Sequence, residues 1–307
     1  MRLRDRVEPW NPAREFNRPS ALSPSRPSPL ADVGTGSGVL AYFAVKAGAR
    51  KVYAIEASGV AVTARKLLEA NGLGDRITVL QGKVEDLDLP EMADIIVSEP
   101  MGFMLIHERM LESFIVARNR FLKPGGTMYP TCGDIYVAPF SDAAVYAEQI
   151  AKVAFWDNTS FFGLDLSSLR ATAVRDHFAQ PIVGYVDAAT LLGPAAVAAS
   201  VDFANDSPES LQTVVARFDI VITRTGLCHG LATWFDVTFP GSVNSVVLRT
   251  GPTSPGTHWC ESTAARKATA QVSRLPARVR SCGCPLTHPQ PHPYPHPILR
   301  SMSQSSA

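Results

Sequence analysis

No stretch of this 307-residue sequence approaches the roughly 20 consecutive apolar residues that a membrane-spanning helix needs. Its N-terminus mixes arginine with acid and proline, where a secretory signal would carry an apolar core. These two absences point to a soluble chain inside the cell with no membrane partner. Cysteine is sparse in pattern as well. Cys132, Cys228, Cys260, Cys282 and Cys284 are odd in number and lack C-x-x-C spacing, which argues against both a disulfide framework and a structural zinc site. No metal is expected.

Net charge is almost missing too, at +1, but the small figure conceals an uneven distribution. Residues 1–30 hold six arginines against three acids, and residues 261–307 hold six basic groups against Glu261 alone. The middle is left with 17 basic and 24 acidic residues, net −7, a balance that suits a cationic partner better than nucleic acid. Thirteen of the 24 prolines fall in the same flanks, so extended or disordered chain is expected over 1–30 and 261–307. The run THPQPHPYPHP at 287–297 alternates proline with histidine and sustains neither a helix nor a sheet ladder, because proline lacks the amide donor. It reads as tail, with metal binding the less favoured alternative.

Between the flanks, a short apolar run ending at Val33, then VYAI at 52–55, ITVL at 77–80 and DIIVS at 94–98, read as buried strands of a parallel sheet. Gly38 to Ala47 and Val60 to Ala70 carry the apolar spacing of surface helices. The alternation requires right-handed crossovers and predicts an α/β, doubly wound unit over 31–130. After Pro130 the alternation stops. DIYVAPF at 134–140, RFDIVIT at 217–223 and LATWFDVTF at 231–239 alternate as antiparallel strands do, predicting a β unit over 131–260. Residues 141–180 interrupt it with a helical pattern rich in apolar anchors, among them Phe155, Trp156, Phe162, Leu164 and Leu169. Such an insertion is either a docking surface or a hairpin packed on its own domain.

Asp32-Val-Gly-Thr-Gly-Ser-Gly38 ends the first strand and opens the first helix, where glycines let backbone approach a ligand closely. A dinucleotide site would want G-x-G-x-x-G/A, but counting from Gly34 and Gly36 the third position is Val39 and the extra glycine is Gly38. The pyrophosphate reading weakens, and D-x-G-x-G-x-G resembles the loop of S-adenosylmethionine methyltransferases. Glu56 follows the second strand, where a carboxylate at a strand tip accepts bonds from both ribose hydroxyls.

SEPMGFMLIHERMLES at 98–113 leaves the fourth strand at its C-terminal end, where such sheets present reactive groups. Glu99 and Glu108 bracket a loop holding Pro100 and Gly102. If the loop turns back on itself, both acids aim into one pocket, and the guest that suits paired carboxylates is a guanidinium, with five donors for bidentate contacts. The competing structural reading has the two glutamates merely capping the following helix. Amino-methyltransferases of DNA or glutamine carry [Asn/Asp]-Pro-Pro-aromatic at this place, whereas this chain has Ser98-Glu-Pro-Met101.

This segment resembles the double-glutamate loop of the protein arginine methyltransferases, and is similar to the coactivator-associated, asymmetric-dimethylating branch in particular. The resemblance extends through GARKVYAIEAS at 48–58, DRITVLQGKVEDLDLPE at 75–91, FWDNTSFFGLDLSSLR at 155–170, HGLATWFDV at 229–237 and THW at 257–259. It implies a seven-stranded-type methyltransferase domain, an antiparallel β-barrel and a helical dimerisation arm. It further implies that Glu99 and Glu108 hold the substrate guanidinium, with His258 and Trp259 flanking the pocket and Met110 restricting the methylated product. Asp32, Gly34, Gly36, Gly38, Glu56, Val84, Glu85 and Ser113 would serve S-adenosylmethionine, with Glu56 on ribose and Glu85 and the Val84 amide on adenine. The implied function is type I methylation of arginine in histone tails and other basic proteins, by a homodimer working in nucleus and cytoplasm.

Two departures from the family are read in the sequence. No aromatic lid, cofactor-gripping arginine or acid partner for the THW histidine is recognisable in residues 1–31, so the cofactor is expected to sit under an incomplete lid. Beyond Trp259 the strand pattern gives way to STAARKATAQVSRLPARV, so the barrel is expected to stay open. These departures support the alternative expectation of a truncated, inactive member acting as a dimerising interaction protein.

Overall fold

The computed structural model describes residues 28–265 together with Gln271–Val272, Arg278–Arg280 and Cys284–Leu286. The lid, charge and tail expectations for residues 1–27 and for the His/Pro run at 287–297 lie outside the described residues. The first unit is a parallel sheet built from β1 (Pro29–Val33), β2 (Lys51–Glu56), β3 (Ile77–Gln81), β4 (Ala93–Ser98) and β5 (Leu122–Tyr129), in the order β3-β2-β1-β4-β5. Helices α1 (Val39–Lys46) and α2 (Val60–Ala70) follow β1 and β2, and α3 (Met110–Phe121) joins β4 to β5. Apolar burial explains why these segments are strands: all five residues of β1 are buried, as are Val52 to Ile55 of β2. Along α2, Ala61, Ala64 and Leu68 make one buried stripe at helical spacing.

The strand order has a functional consequence. The chain winds outward from β1 to β3 and then crosses back to β4 on the other side of β1. A cleft therefore opens beyond the carboxyl ends of β1 and β4, at the switch point of the sheet.

The second unit is antiparallel. Its main sheet contains β6 (Cys132–Phe140), β7 (Ile182–Gly184), β8 (Ala196–Asp202), β12 (Gly230–Phe239), β13 (Val246–Arg249) and β14 (Glu261–Ala265), in the order β7-β14-β12-β6-β8 with β13 also on β12. Shorter strands β9 (Val214–Ala216), β10 (Asp219–Val221) and β11 (Gly226–Leu227) pair with β17 (Cys284–Leu286), β16 (Arg278–Arg280) and β15 (Gln271–Val272), respectively. The expectation that strands cease after Trp259 is corrected here. β14 inserts between β12 and β7, and three more short strands pair within the stretch read as tail. Backbone ladders to existing strand edges hold ESTAA and its successors, a stabilisation that side-chain alternation does not announce.

The arm leaves β6 through Asp142, whose Oδ1 accepts the amides of Ala144 and Val145 at 3.0 Å each and so starts α4 (Ala143–Val153). Turns of 3-10 helix and then α5 (Arg170–Phe178) complete the hairpin. Several of its anchors face outward, with Phe162 96% and Leu164 63% exposed, whereas Leu166 is buried. The two units share one core. Ile135, Val201, Phe203, Phe235 and Val237 of the antiparallel sheet pack with Met101, Leu105, Leu111 and Phe114, and the Phe114 and Phe203 rings meet edge-on at 6.1 Å.

Candidate active site

The cleft floor is formed where β1 turns into the glycine loop. Amides of Gly34 and Thr35 both donate to the Ile55 carbonyl at 2.9 Å, and Gly38 N–H donates to Thr35 O at 2.9 Å, closing a tight turn. Gly34, Gly36 and Gly38 all have left-handed φ, a conformation that other residues adopt at a cost. A Cβ on Gly36 would meet nothing within 4 Å, so open space lies above the loop. Met110, the first residue of α3, reaches the other side, its Cε 3.0 Å from where a Gly34 Cβ would stand.

Glu56 sits as the spacing required. Gly36 N–H donates to its Oε2 at 2.9 Å across 20 residues, and Ser58 N–H donates to its Oε1 at 2.8 Å. Burial would raise this carboxyl, but bonds from the Ser58 amide and hydroxyl and from the Gly36 and Ala57 amides outweigh it and hold it below the ordinary range. The Ser113 hydroxyl, near the start of α3, donates to Glu85 Oε1 at 2.8 Å, next to buried Val84.

Asp32 is placed differently from its neighbours in the motif. It is fully buried beneath the loop, where the Thr35 hydroxyl donates to its Oδ2 at 2.6 Å and its Oδ1 has no partner. Loss of hydration pushes its carboxyl up to about 6, against the lowering effect of the Thr35 hydroxyl and the nearby Ala41 amide and with a smaller raising contribution from the Glu56 charge. Asp32 supports the loop from below instead of lining the open space.

Opposite the glycine loop, residues 99–109 fold back on themselves. Gly102 N–H donates to Leu105 O at 3.2 Å, and a Cβ on Gly102 would lie 1.9 Å from His107 O, so only glycine closes this turn. Met104, Leu105, Glu108 and Arg109 all have left-handed φ, between 53° and 75°. Such strain costs of the order of 1–3 kcal/mol per residue and persists only where the surroundings impose it. Here they do: Leu105 is fully buried, and the Trp259 indole N–H donates to Met101 O at 2.7 Å in the core between the units.

The turn brings Glu99 and Glu108 together. Protein surrounding Glu99 pushes its carboxyl up to about 7, with desolvation leading, the Met101 amide opposing and the Glu108 charge raising it further. Both glutamates keep solvent access, and among the described residues neither forms an ion pair. The cap reading fails for them, since the residue before α3 is Arg109 and makes no side-chain cap. His258 is exposed, its ring against that of Trp259 with centroids 3.9 Å apart, and Trp259 also meets Phe235 edge-on at 5.5 Å. Two residues of the site carried no readable signal: Thr35, which fastens the loop to Asp32, and Ser98, whose hydroxyl donates to the Val33 carbonyl at 2.7 Å. Among the described residues no group of histidine, cysteine and acid side chains is arranged to hold a metal, and no helix is long and apolar enough to cross a membrane.

A glycine-loop cleft at the switch point of a doubly wound sheet, walled by an antiparallel unit, defines the class of Rossmann-like methyltransferase folds with an appended β domain. Comparison with known proteins agrees. Residues 30–126 match the methyltransferase domain model, and residues 131–274 match the arginine methyltransferase oligomerization subdomain. The structure is similar to Arabidopsis thaliana protein arginine methyltransferase 10 (TM-score 0.73, 30% identity, 80% of this chain and 76% of that one). It is also similar to the Trypanosoma brucei PRMT1 enzyme-prozyme heterotetrameric complex with AdoHcy (TM-score 0.71, 32% identity, 84% and 76%). Among curated proteins, the "Histone-arginine methyltransferase CARMER" of Drosophila persimilis and the "Probable histone-arginine methyltransferase CARMER" of Drosophila melanogaster are each 49% identical to this chain over 228 residues, 74% of this chain and 43% of each fly protein. The chain belongs to the protein arginine methyltransferase family. It spans less than half the length of the curated relatives it matches.

Proposed function

We propose that the chain is an S-adenosylmethionine-dependent type I protein arginine N-methyltransferase acting on histones and other basic proteins. The observation that carries this reading is the Glu99–Glu108 pair, two solvent-accessible carboxylates on one strained loop that feel each other's charge, together with a glycine loop that has open space at Gly36.

The cleft fits the cofactor. The Gly36 and Ser58 amides fix the two Glu56 oxygens at the strand tip, where ribose hydroxyls would donate to them. Glu85, steadied by Ser113, and the Val84 amide would receive adenine. Gly36 leaves room for the amino-acid end, while Gly34 and Gly38 let the loop pack against Met110 and Leu68. When bound, the cofactor supplies an electrophilic methyl group on a sulfonium. The rest is done by the chain. Glu99 and Glu108 hold the guanidinium in bidentate fashion and draw its positive charge toward themselves, leaving one nitrogen richer in electron density. That polarisation is needed because a guanidinium, with a pKa above about 12, is otherwise a poor nucleophile. Glu99, with its carboxyl raised to about 7, acts in its ionised form and takes the proton that the methylated nitrogen gives up. Trp259 and His258 wall the pocket, and Met110 limits the space for added methyl groups.

The acidic balance of the body and the histone-arginine activity named for the fly relatives support basic histone tails as substrates, in the nucleus and with a cytoplasmic pool, without direct nucleic-acid binding. The exposed arm residues Phe155, Phe162, Leu164 and Leu169 support a homodimer formed through the arm. Phe162→Asp is expected to convert dimer to monomer in sedimentation, and an unchanged dimer would remove the arm from the interface. For the reaction itself, labelled S-adenosylmethionine and an arginine-rich histone-tail peptide should yield labelled peptide. Glu99→Gln should abolish turnover while calorimetric cofactor affinity stays. Wild-type chain that binds cofactor and labels nothing would end the transferase reading.

A further inference from the structure

The cleft lies between two strand tips, and one hydroxyl joins them. β1 and β4 run parallel with Val33 opposite Ser98. The next residue on one strand is Gly34, which opens the glycine loop, and the next on the other is Glu99. Ser98 is 3% exposed and donates its hydroxyl to the Val33 carbonyl at 2.7 Å. Serine is a weak strand former that usually satisfies its hydroxyl on nearby backbone of its own segment. Here the bond reaches across to the neighbouring strand, 65 residues earlier in the chain, at the point where donor and acceptor loops diverge.

Building on the methyl-transfer reading above, we infer that Ser98 is a positioning residue that sets the spacing between the glycine loop and the Glu99 loop. In-line transfer depends on reacting atoms held about 3–3.5 Å apart, and a misplacement of about 1 Å can cost on the order of 100-fold in rate. Catalytic groups must be held to about 0.5 Å by residues that are themselves locked. Glu99 has its own restraint on the far side through the bond from Trp259 to Met101. On the cofactor side, the Ser98 hydroxyl acts one residue from each loop. It is buried with its hydroxyl committed to the Val33 carbonyl, so its loss should alter the rate of transfer and leave both affinities alone.

The test uses the full chain with Ser98→Ala, Ser98→Thr and Ser98→Cys. Ser98→Ala should lower kcat about tenfold with KM for peptide and cofactor within about twofold of wild type. Ser98→Thr, which keeps the hydroxyl, should stay within about threefold of wild type. Ser98→Cys, with its weak S–H donor, should follow the alanine variant. Amide hydrogen exchange supplies a readout that needs no turnover. In Ser98→Ala, residues 34–38 and 99–105 should exchange faster together, by about fivefold or more, while α5 stays at its wild-type rate. Wild-type kcat in the alanine variant, or a loss carried by KM, overturns the inference. Unchanged exchange in both loops overturns it too, even for a chain that transfers no methyl group, an outcome that would instead count against the transferase reading.

Discussion

In the proposed mechanism Glu99 sets a pH dependence that follows from its surroundings. Its carboxyl is held at about 7, and a protonated Glu99 cannot share a guanidinium's charge. The guanidinium itself keeps its charge throughout, so kcat/KM should follow the ionised fraction of Glu99 in the free enzyme. That fraction is half at pH 7 and about a tenth at pH 6, so kcat/KM should fall about tenfold from its alkaline plateau to pH 6. A bound guanidinium favours the carboxylate, which places the midpoint of the kcat profile at lower pH than that of kcat/KM. Glu108→Gln removes one of the causes raising Glu99, so the residual kcat/KM of this variant should show an acid-shifted midpoint. Initial rates with labelled cofactor and a histone-tail peptide between pH 5.5 and pH 9, at constant ionic strength, measure all three. A flat kcat/KM profile across that range, or a midpoint that ignores Glu108→Gln, would refute the assignment of the titrating group. Asp32 titrates lower, near 6, and lies beneath the loop, so its ionisation would not respond to Glu108 in this way.

Asp32 also links stability to pH, with the opposite sign from a paired surface carboxylate. Its folded value of about 6 lies above its ordinary 3.8, so folding takes up a proton in that window, and stability rises as pH falls from 6 toward 4. Asp32→Asn should therefore stabilise the chain by up to about 3 kcal/mol at pH 8 and by little near pH 4; urea melts at the two pH values decide, and equal destabilisation at both would contradict it. Gly102→Ala forces a Cβ to within 1.9 Å of the His107 carbonyl, so the loop must open, at a cost of about 2 kcal/mol or more in urea unfolding and with loss of turnover. Trp259→Phe keeps most of the packing but strips a donor from the buried Met101 carbonyl, which should cost about 1–3 kcal/mol and lower kcat more than cofactor affinity, read by melts and calorimetry side by side.

How much of this could be read in advance depends on which forces fix each element. The strands at 52–55, 77–80 and 94–98 were legible because parallel strands buried on both faces must be apolar runs. β5 was not, since LKPGGTMY holds a proline and two glycines in eight residues and owes its place to pairing with β4. β14 was hidden for a related reason, because ESTAA has little apolar pattern and is held by ladders to β12 and β7 on its two edges. RFDIVIT shortened to β10 at Asp219–Val221. In the site, Glu56 was legible because a contact 20 residues from Gly36 is fixed by the length of one strand–helix–strand step. The Trp259 bond to Met101 spans 158 residues and two units, and no local spacing encodes it. The left-handed backbone at Met104, Leu105, Glu108 and Arg109 was equally silent, since none of these residues favours that conformation. The two facts explain each other. A loop that strained holds its shape only where other contacts over-determine it, and here these are the Gly102 turn, buried Leu105 and the indole bond from the far unit. The loop that carries the two carboxylates thus takes its shape from both units together, with Trp259, in the turn before β14, fixing it from the antiparallel side.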